Sequence, residues 1–259
     1  MDTSSWAEFA GDATQFEYPG GELGKAWSRL HAGDREPWPS DKVMQDAWRL
    51  FHRGRFAEAV DAAAEIGPSA HVVANKASGI YADYLEEDDP TRQAIYSAGI
   101  ERAEQAIADD PDKPNSHYFN AYHLGRYSQS ISVARALSQG LGGKIKRSLD
   151  RAMELEPEHA EAHTALGLYH AEVIAKVGKL VGSMTYGASA DRAMEHFDEA
   201  IRLSDAPIAW IEYGNGLHLL YGDKRLDDSN EAYAKAAAME PLDAMQALDI
   251  EYARNSLAY

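Results

Sequence analysis

The stretch "DAWRLFHRGRFAEAV", Asp46 to Val60, decides the fold. Ala47 and Leu50 lie three apart and pack one side of a first helix. Gly54 and Phe56 form a tight turn, and Ala59 is small enough to let a second helix approach closely. The stretch reads as two short antiparallel helices joined by a turn. Such a pair leaves an apolar face that only another pair can cover.

Working outward, the second helix runs on through "AVDAAAEIGP" to Pro68, and four later segments end in the same way. They are "GIERAEQAIADDP" at Pro111, "SLDRAMELEP" at Pro157, "AMEHFDEAIRLSDAP" at Pro207 and "EAYAKAAAMEP" at Pro241. Each is an amphipathic helix with small or aromatic residues at three- and four-residue spacing. An acidic turn and a proline stop each one, because proline cannot continue the hydrogen-bond ladder. The prolines lie 43, 46, 50 and 34 residues apart. The last interval equals the tetratricopeptide period of about 34 residues, and the longer ones resemble that unit with insertions. "HAEAHTALGLYH" adds His163, Leu166, Gly167 and His170 at the spacing of the W-x-x-L-G-x-x-Y signature. The expected fold is all-α: a right-handed α-solenoid of about five tetratricopeptide-like helix pairs, with long insertions and a C-terminal capping helix over Leu242–Leu257.

Residues 1–40 lie outside the repeat and residues 41–259 form it. In the first part, "GELGKAWSRLHAGD" reads as one helix and "REPWPS" as a linker. Trp6, Trp27 and Trp38 are expected to pack as a cap on the open N-terminal end of the solenoid.

The excess residues of the 46- and 50-residue units fall between the first and second helix of each. One unit has a long first helix, "NSHYFNAYHLGRYSQSISVARAL", followed by "SQGLGGKIKR". The other has "AEAHTALGLYHAEVIAKVGKL" followed by "VGSMTYGAS". Stacking would bring the two insertions side by side. Leu180, Val181, Met184 and Tyr186 are expected to be buried and to anchor the second insertion as a lid.

From about Tyr96 to Ala236 the chain resembles the regulator of microtubule dynamics family, and more loosely the tetratricopeptide lipoproteins of bacterial TRAP transporters. The resemblance rests on "HYFNAYHLGRY", "GKIKRSLDRAMELEP", "ALGLYHAEV", the lysine-bearing insertion ending in Tyr186-Gly187, and "ADRAMEHFDEAI". It implies a helical scaffold that binds partners, or a groove for a small or lipid-like ligand. None of these residues forms a catalytic set.

Composition narrows the function. Net charge is −17, from 42 acidic residues against 25 lysines and arginines, which repels nucleic acid and anionic membranes. There is no cysteine, so disulfides, thiolate catalysis and cysteine-based zinc sites are excluded. The start, "MDTSSWAEFAGDATQFEYPGG", is acidic and lacks the apolar run of a signal peptide. No window reaches the about 18 apolar residues of a membrane span. A soluble cytoplasmic protein is expected, or a periplasmic one if a leader has been removed.

"GLGGKIK" and "GKLVGSMTYG" do not make a phosphate loop, since Ser138 replaces the first glycine, Ile145 replaces the Ser or Thr, and no strand precedes. His159, His163 and His170 share a helical stripe, but His163 and His170 occupy aromatic positions of the repeat and read as packing. "DDPDKPNS" has Pro114 where a calcium loop needs an oxygen. No catalytic residue, cofactor or metal is called for. The candidate site is a basic edge of Lys144, Lys146 and Arg147 from one insertion and Lys176 and Lys179 from the other, walled by Tyr118, Tyr122, Tyr169 and Tyr186. It suits an acidic protein or peptide partner. A small or lipid-like ligand under the insertions is the alternative.

Overall fold

The computed structural model describes residues 2–257, and among them every regular element is helical. In chain order the helices are α1 (Glu22–Leu30), α2 (Lys42–His52), α3 (Phe56–Ile66), α4 (His71–Tyr84), α5 (Asp89–Asp109), α6 (Pro114–Gln129), α7 (Val133–Ser138), α8 (Leu141–Leu155), α9 (Ala160–Val177), α10 (Lys179–Tyr186), α11 (Ala190–Leu203), α12 (Pro207–Tyr221), α13 (Leu226–Ala237) and α14 (Ala244–Leu257). The chain is an all-α solenoid of paired helices, α2/α3, α4/α5, α6/α8, α9/α11 and α12/α13, followed by α14. Helices α7 and α10 are the two insertions.

The prolines mark the units as expected, but not all of them act as stops. Pro207 is the first residue of α12, and Pro68 opens a 3-10 turn before α4. A first-turn proline gives up an N–H that has no intrahelical partner, so it starts a helix at little cost. Side-chain caps fix other starts: Asp41 accepts from Val43 N–H for α2, Asp88 from Thr91 N–H for α5, and Ser189 from Arg192 N–H for α11.

The residues fall into two compact units. The first takes in the chain up to His31, Glu36–Leu155 and Leu242–Met245; the second takes in Ala32–Arg35, Glu156–Pro241 and the chain from Gln246. In the first unit the tryptophans of the N-terminal segment meet aromatic partners. Trp27 is buried and edge-on to Trp48 at 5.6 Å, and its indole N–H donates to the Glu36 carbonyl at 2.8 Å. Trp6 stacks on Tyr81 at 3.9 Å. Residues around Asp243 belong to this unit: His52 Nδ1 lies 2.8 Å from the Asp243 carboxylate, with both side chains about 1% exposed. The turn after Phe51 needs Gly54, whose φ is 78° and whose missing Cβ leaves room for Phe9.

In the second unit the segment Ala32–Arg35 meets the start of α9. Gly33 carbonyl accepts from Glu161 N–H at 3.0 Å, and Arg35 pairs with Glu158. His159 caps α9, its Nδ1 accepting from Ala162 N–H at 3.1 Å. Gly167 of α9 faces Phe197 of α11, as the small residue of the repeat signature requires.

Three local expectations change. The long first helix of the third unit breaks after Gln129, and α7 starts afresh with Ser132 as its cap. The "SQGLGGKIKR" segment is not an insertion throughout: from Leu141 it is the first part of α8. Val181, Leu180 and Met184 are not buried anchors. They are 49%, 73% and 80% exposed, and α10 is held instead through buried Gly182. A residue without a side chain allows the backbone contact that a leucine was expected to make.

Candidate functional site

The first members of the pairs in the middle of the chain, α4, α6 and α9, are buried on nearly every side, whereas α8 and α11 bury one stripe. Their polar residues are therefore enclosed and must be satisfied within the protein. In the first unit, Asp83 on α4 gathers three donors. Tyr96 of α5 donates its phenol at 2.6 Å, Tyr122 of α6 at 2.7 Å, and the Arg126 guanidinium lies 2.9 Å away. Arg126 also lies over the Tyr122 ring, 5.6 Å from its centroid. Burial, and then the Asp83 charge, push both phenols well above the usual range, so they stay donors.

Deeper in the same unit, Arg102 donates to Asn75 Oδ1 and Ser78 Oγ, each at 2.8 Å, and burial lowers its guanidinium to about 10. His123 is fully buried beside Gly99, and burial, with Arg102 second, pushes it down to about 3, so it is neutral. In the second unit His163 bonds to the Pro157 carbonyl at 3.1 Å and to His196 Nδ1 at 3.0 Å, while the His170 and His196 rings stack. Burial holds His163 below its ordinary value. These histidines are built into helix packing. Among the described residues, no three His, Asp or Glu side chains are grouped so as to hold a metal ion.

The candidate edge residues are distributed as follows. Lys144, Lys146 and Arg147 share α8 in the first unit; Lys176 ends α9 and Lys179 starts α10 in the second. Lys146 is held by Asp150 at 2.7 Å, and Lys176 by Glu172 at 2.7 Å. Lys144, Arg147 and Lys179 are exposed and make no ion pair among the described residues. Tyr118 and Tyr169 are buried and serve as packing residues, Tyr122 is engaged by Asp83, and Tyr186 is half-buried.

Sequence reading passed over Asp83, Tyr96, Arg126 and Arg135. The signal for two of them was present: between Asp112 and Asp150 there is not one acidic residue, while Lys113, Arg126, Arg135, Lys144, Lys146 and Arg147 all fall there. In a chain with 42 acids this is a local reversal of charge. Arg135 on α7 is exposed, and its guanidinium donates to the Tyr127 hydroxyl at 3.2 Å. Arg135, Lys144 and Arg147 are thus three exposed cations in the first unit without a carboxylate partner among the described residues.

The second unit also holds a cleft of about 250 Å³ between α11, α12 and α13. Trp210 and Tyr213 form one wall. Lys235 Nζ lies over the Trp210 ring at 4.4 Å, and the rim carries Asp198, Arg225, Asp228 and Glu231. Its charges are largely matched along α13, Arg225 by Asp228 and Lys235 by Glu231. It is a polar cleft rather than a lipid tunnel.

Repeated helix pairs with small residues at their crossings define a tetratricopeptide-like protein. The fold comparison agrees. The crystal structure of TTC0263, a thermophilic TPR protein of Thermus thermophilus, superposes with a TM-score of 0.58 over 82% of this chain and 97% of that one, at 16% identity. More particularly, the chain belongs to the regulator of microtubule dynamics protein 1-3 family, whose model matches residues 68–244. No curated protein matches the sequence.

Proposed function

We propose that the protein is a non-enzymatic adaptor that binds an acidic segment of a partner protein. The observation that carries this reading is the run from 113 to 149, with six cations and no acid, which leaves Arg135, Lys144 and Arg147 exposed and unmatched. Guanidinium and ammonium groups free of internal carboxylates retain their full capacity for charge-assisted bonds to a partner's carboxylates. The −17 charge of the whole chain repels acidic segments elsewhere, so it disfavours binding away from these cations and sharpens selectivity. Lys146 adds charge while bound to its own helix. The tetratricopeptide-like fold and the family membership support a scaffold for protein interaction. The buried clusters around Asp83 and Arg102 pair across packed helices, which supports a structural role for them. A cytoplasmic setting is consistent with this role.

The experiment is affinity capture with the parent chain, an Arg135→Glu/Lys144→Glu/Arg147→Glu variant and a Lys176→Glu/Lys179→Glu variant, at low and high salt. Acidic partners held by the parent at low salt should be lost from the triple variant and kept by the double one, whose lysines lie in the second unit. Equal recovery from all three would discard the reading.

A further inference from the structure

Helix α10 turns its apolar side to solvent. Leu180 and Met184, 73% and 80% exposed, are one turn apart, and Val181 at 49% flanks them, so the three form a ridge along one face. The opposite face is the attached one. Gly182 is buried, a Cβ there would stand 3.4 Å from Val173 on α9, and its carbonyl accepts from Ala188 N–H at 3.0 Å. Gly178 and Gly187, with φ of 82° and 63°, turn the chain at the two ends. The exposure is therefore built into a folded helix with a defined inner side. The surrounding charge is distinctive as well: no acidic residue lies between Glu172 and Asp191, Lys176 and Lys179 flank the ridge, and Lys179 has no ion partner among the described residues.

We propose that α10 is a peripheral contact for an anionic phospholipid surface, with Leu180, Val181 and Met184 entering the headgroup region and Lys179 meeting phosphate. Three observations favour lipid over protein here. The ridge is only three side chains wide, far short of the about 800 Å² per partner that a stable protein interface buries. It lacks the aromatic and arginine residues that anchor small protein interfaces. Aliphatic side chains bordered by lysine match the layered chemistry of a bilayer surface, which has no shape to complement. Screening over about 8 Å at physiological salt limits the repulsion from the chain's more distant acids. This is attachment without spanning, and no helix among the described residues is long and apolar enough to cross a membrane.

The test is co-sedimentation of the full chain with vesicles of phosphatidylcholine alone and of phosphatidylcholine mixed with phosphatidylserine. The parent should pellet with the anionic vesicles at low salt and much less with the neutral ones. Leu180→Asp/Met184→Asp should reduce partitioning by at least about tenfold, and Lys179→Glu by about fivefold. Because these side chains are exposed, thermal melting should be unchanged in both variants. A parent that stays in the supernatant with both vesicles, or a double variant that pellets like the parent, would overturn the proposal. So would a lipid-free dimer in sedimentation velocity that the double variant dissolves, since the ridge would then join two copies. Capture of an acidic partner depends on Arg135, Lys144 and Arg147 rather than on Leu180 and Met184, so the two proposals fail separately.

Discussion

A Cβ on Gly167 would stand 2.7 Å from the ring of Phe197, closer than two non-bonded carbons approach. The same ring meets Gly216 from the other side, where a Cβ would stand 2.3 Å away. One phenylalanine of α11 thus fills the space opened by two bare backbones, on α9 and α12. Gly167→Leu should destabilise the protein by about 1–3 kcal/mol through overpacking, and Gly216→Leu similarly. Urea unfolding of both variants checks this; a midpoint equal to the parent's would mean that the helices move apart freely.

Asp83 accepts from Tyr96, Tyr122 and Arg126, so the four are expected to act as a unit. Asp83→Ala leaves a half-buried guanidinium and two buried phenols without their acceptor, and should cost about 3–5 kcal/mol. Tyr122→Phe removes one donor and should cost about 1 kcal/mol. Chemical denaturation ranks them; equal losses would show that Asp83 is not the hub.

The repeat signature makes position 163 an aromatic one, so by that rule alone His163→Phe would be neutral or stabilising. The structure gives the ring two polar contacts, Pro157 O and His196 Nδ1, which phenylalanine cannot make. The substitution should therefore cost about 1–2 kcal/mol, read as a lower melting temperature.

Acid stability should depend on His123. Its folded-state value is about 3 against 6.5 for the free side chain. Between these limits the unfolded chain binds a proton that the folded one does not, so stability falls as the pH drops below about 6.5. The loss approaches about 1.4 kcal/mol per pH unit, per site, in the middle of that window. His123→Gln should flatten the acid limb of a stability–pH curve; an unchanged slope would show that His123 takes up a proton in the folded state.

Much of this architecture was legible because it is periodic. The proline-ended helices, the small residues at Ala59 and Gly167 and the single helix around Trp27 all obey local rules, and the five pairs follow from them. The insertions were harder to read. Gly142 and Gly143 fall in the stretch read as an insertion, yet they lie at the start of α8, because a helix start tolerates glycine when the following turns are well packed. Leu180 and Met184 suggested burial, since hydrophobicity says what a side chain prefers and not whether another element is there to cover it. Asp83 was invisible for a related reason. Its partners come from helices separated by up to 43 residues, and nothing periodic links them. The cations of α8 were recognised individually, but which of them are neutralised depends on i,i+4 acids such as Asp150, and that separates Lys146 from Lys144 and Arg147.

The central claim is that unmatched cations on α7 and α8 hold an acidic partner. The most direct measurement is the dissociation constant of the captured partner at low and physiological ionic strength, for the parent and for Arg135→Glu/Lys144→Glu/Arg147→Glu. The account predicts that the parent's affinity falls steeply with salt, and that the triple variant binds at least about tenfold more weakly at low salt with little salt dependence left. Equal affinities at low salt, or an equal salt slope in both proteins, would contradict it.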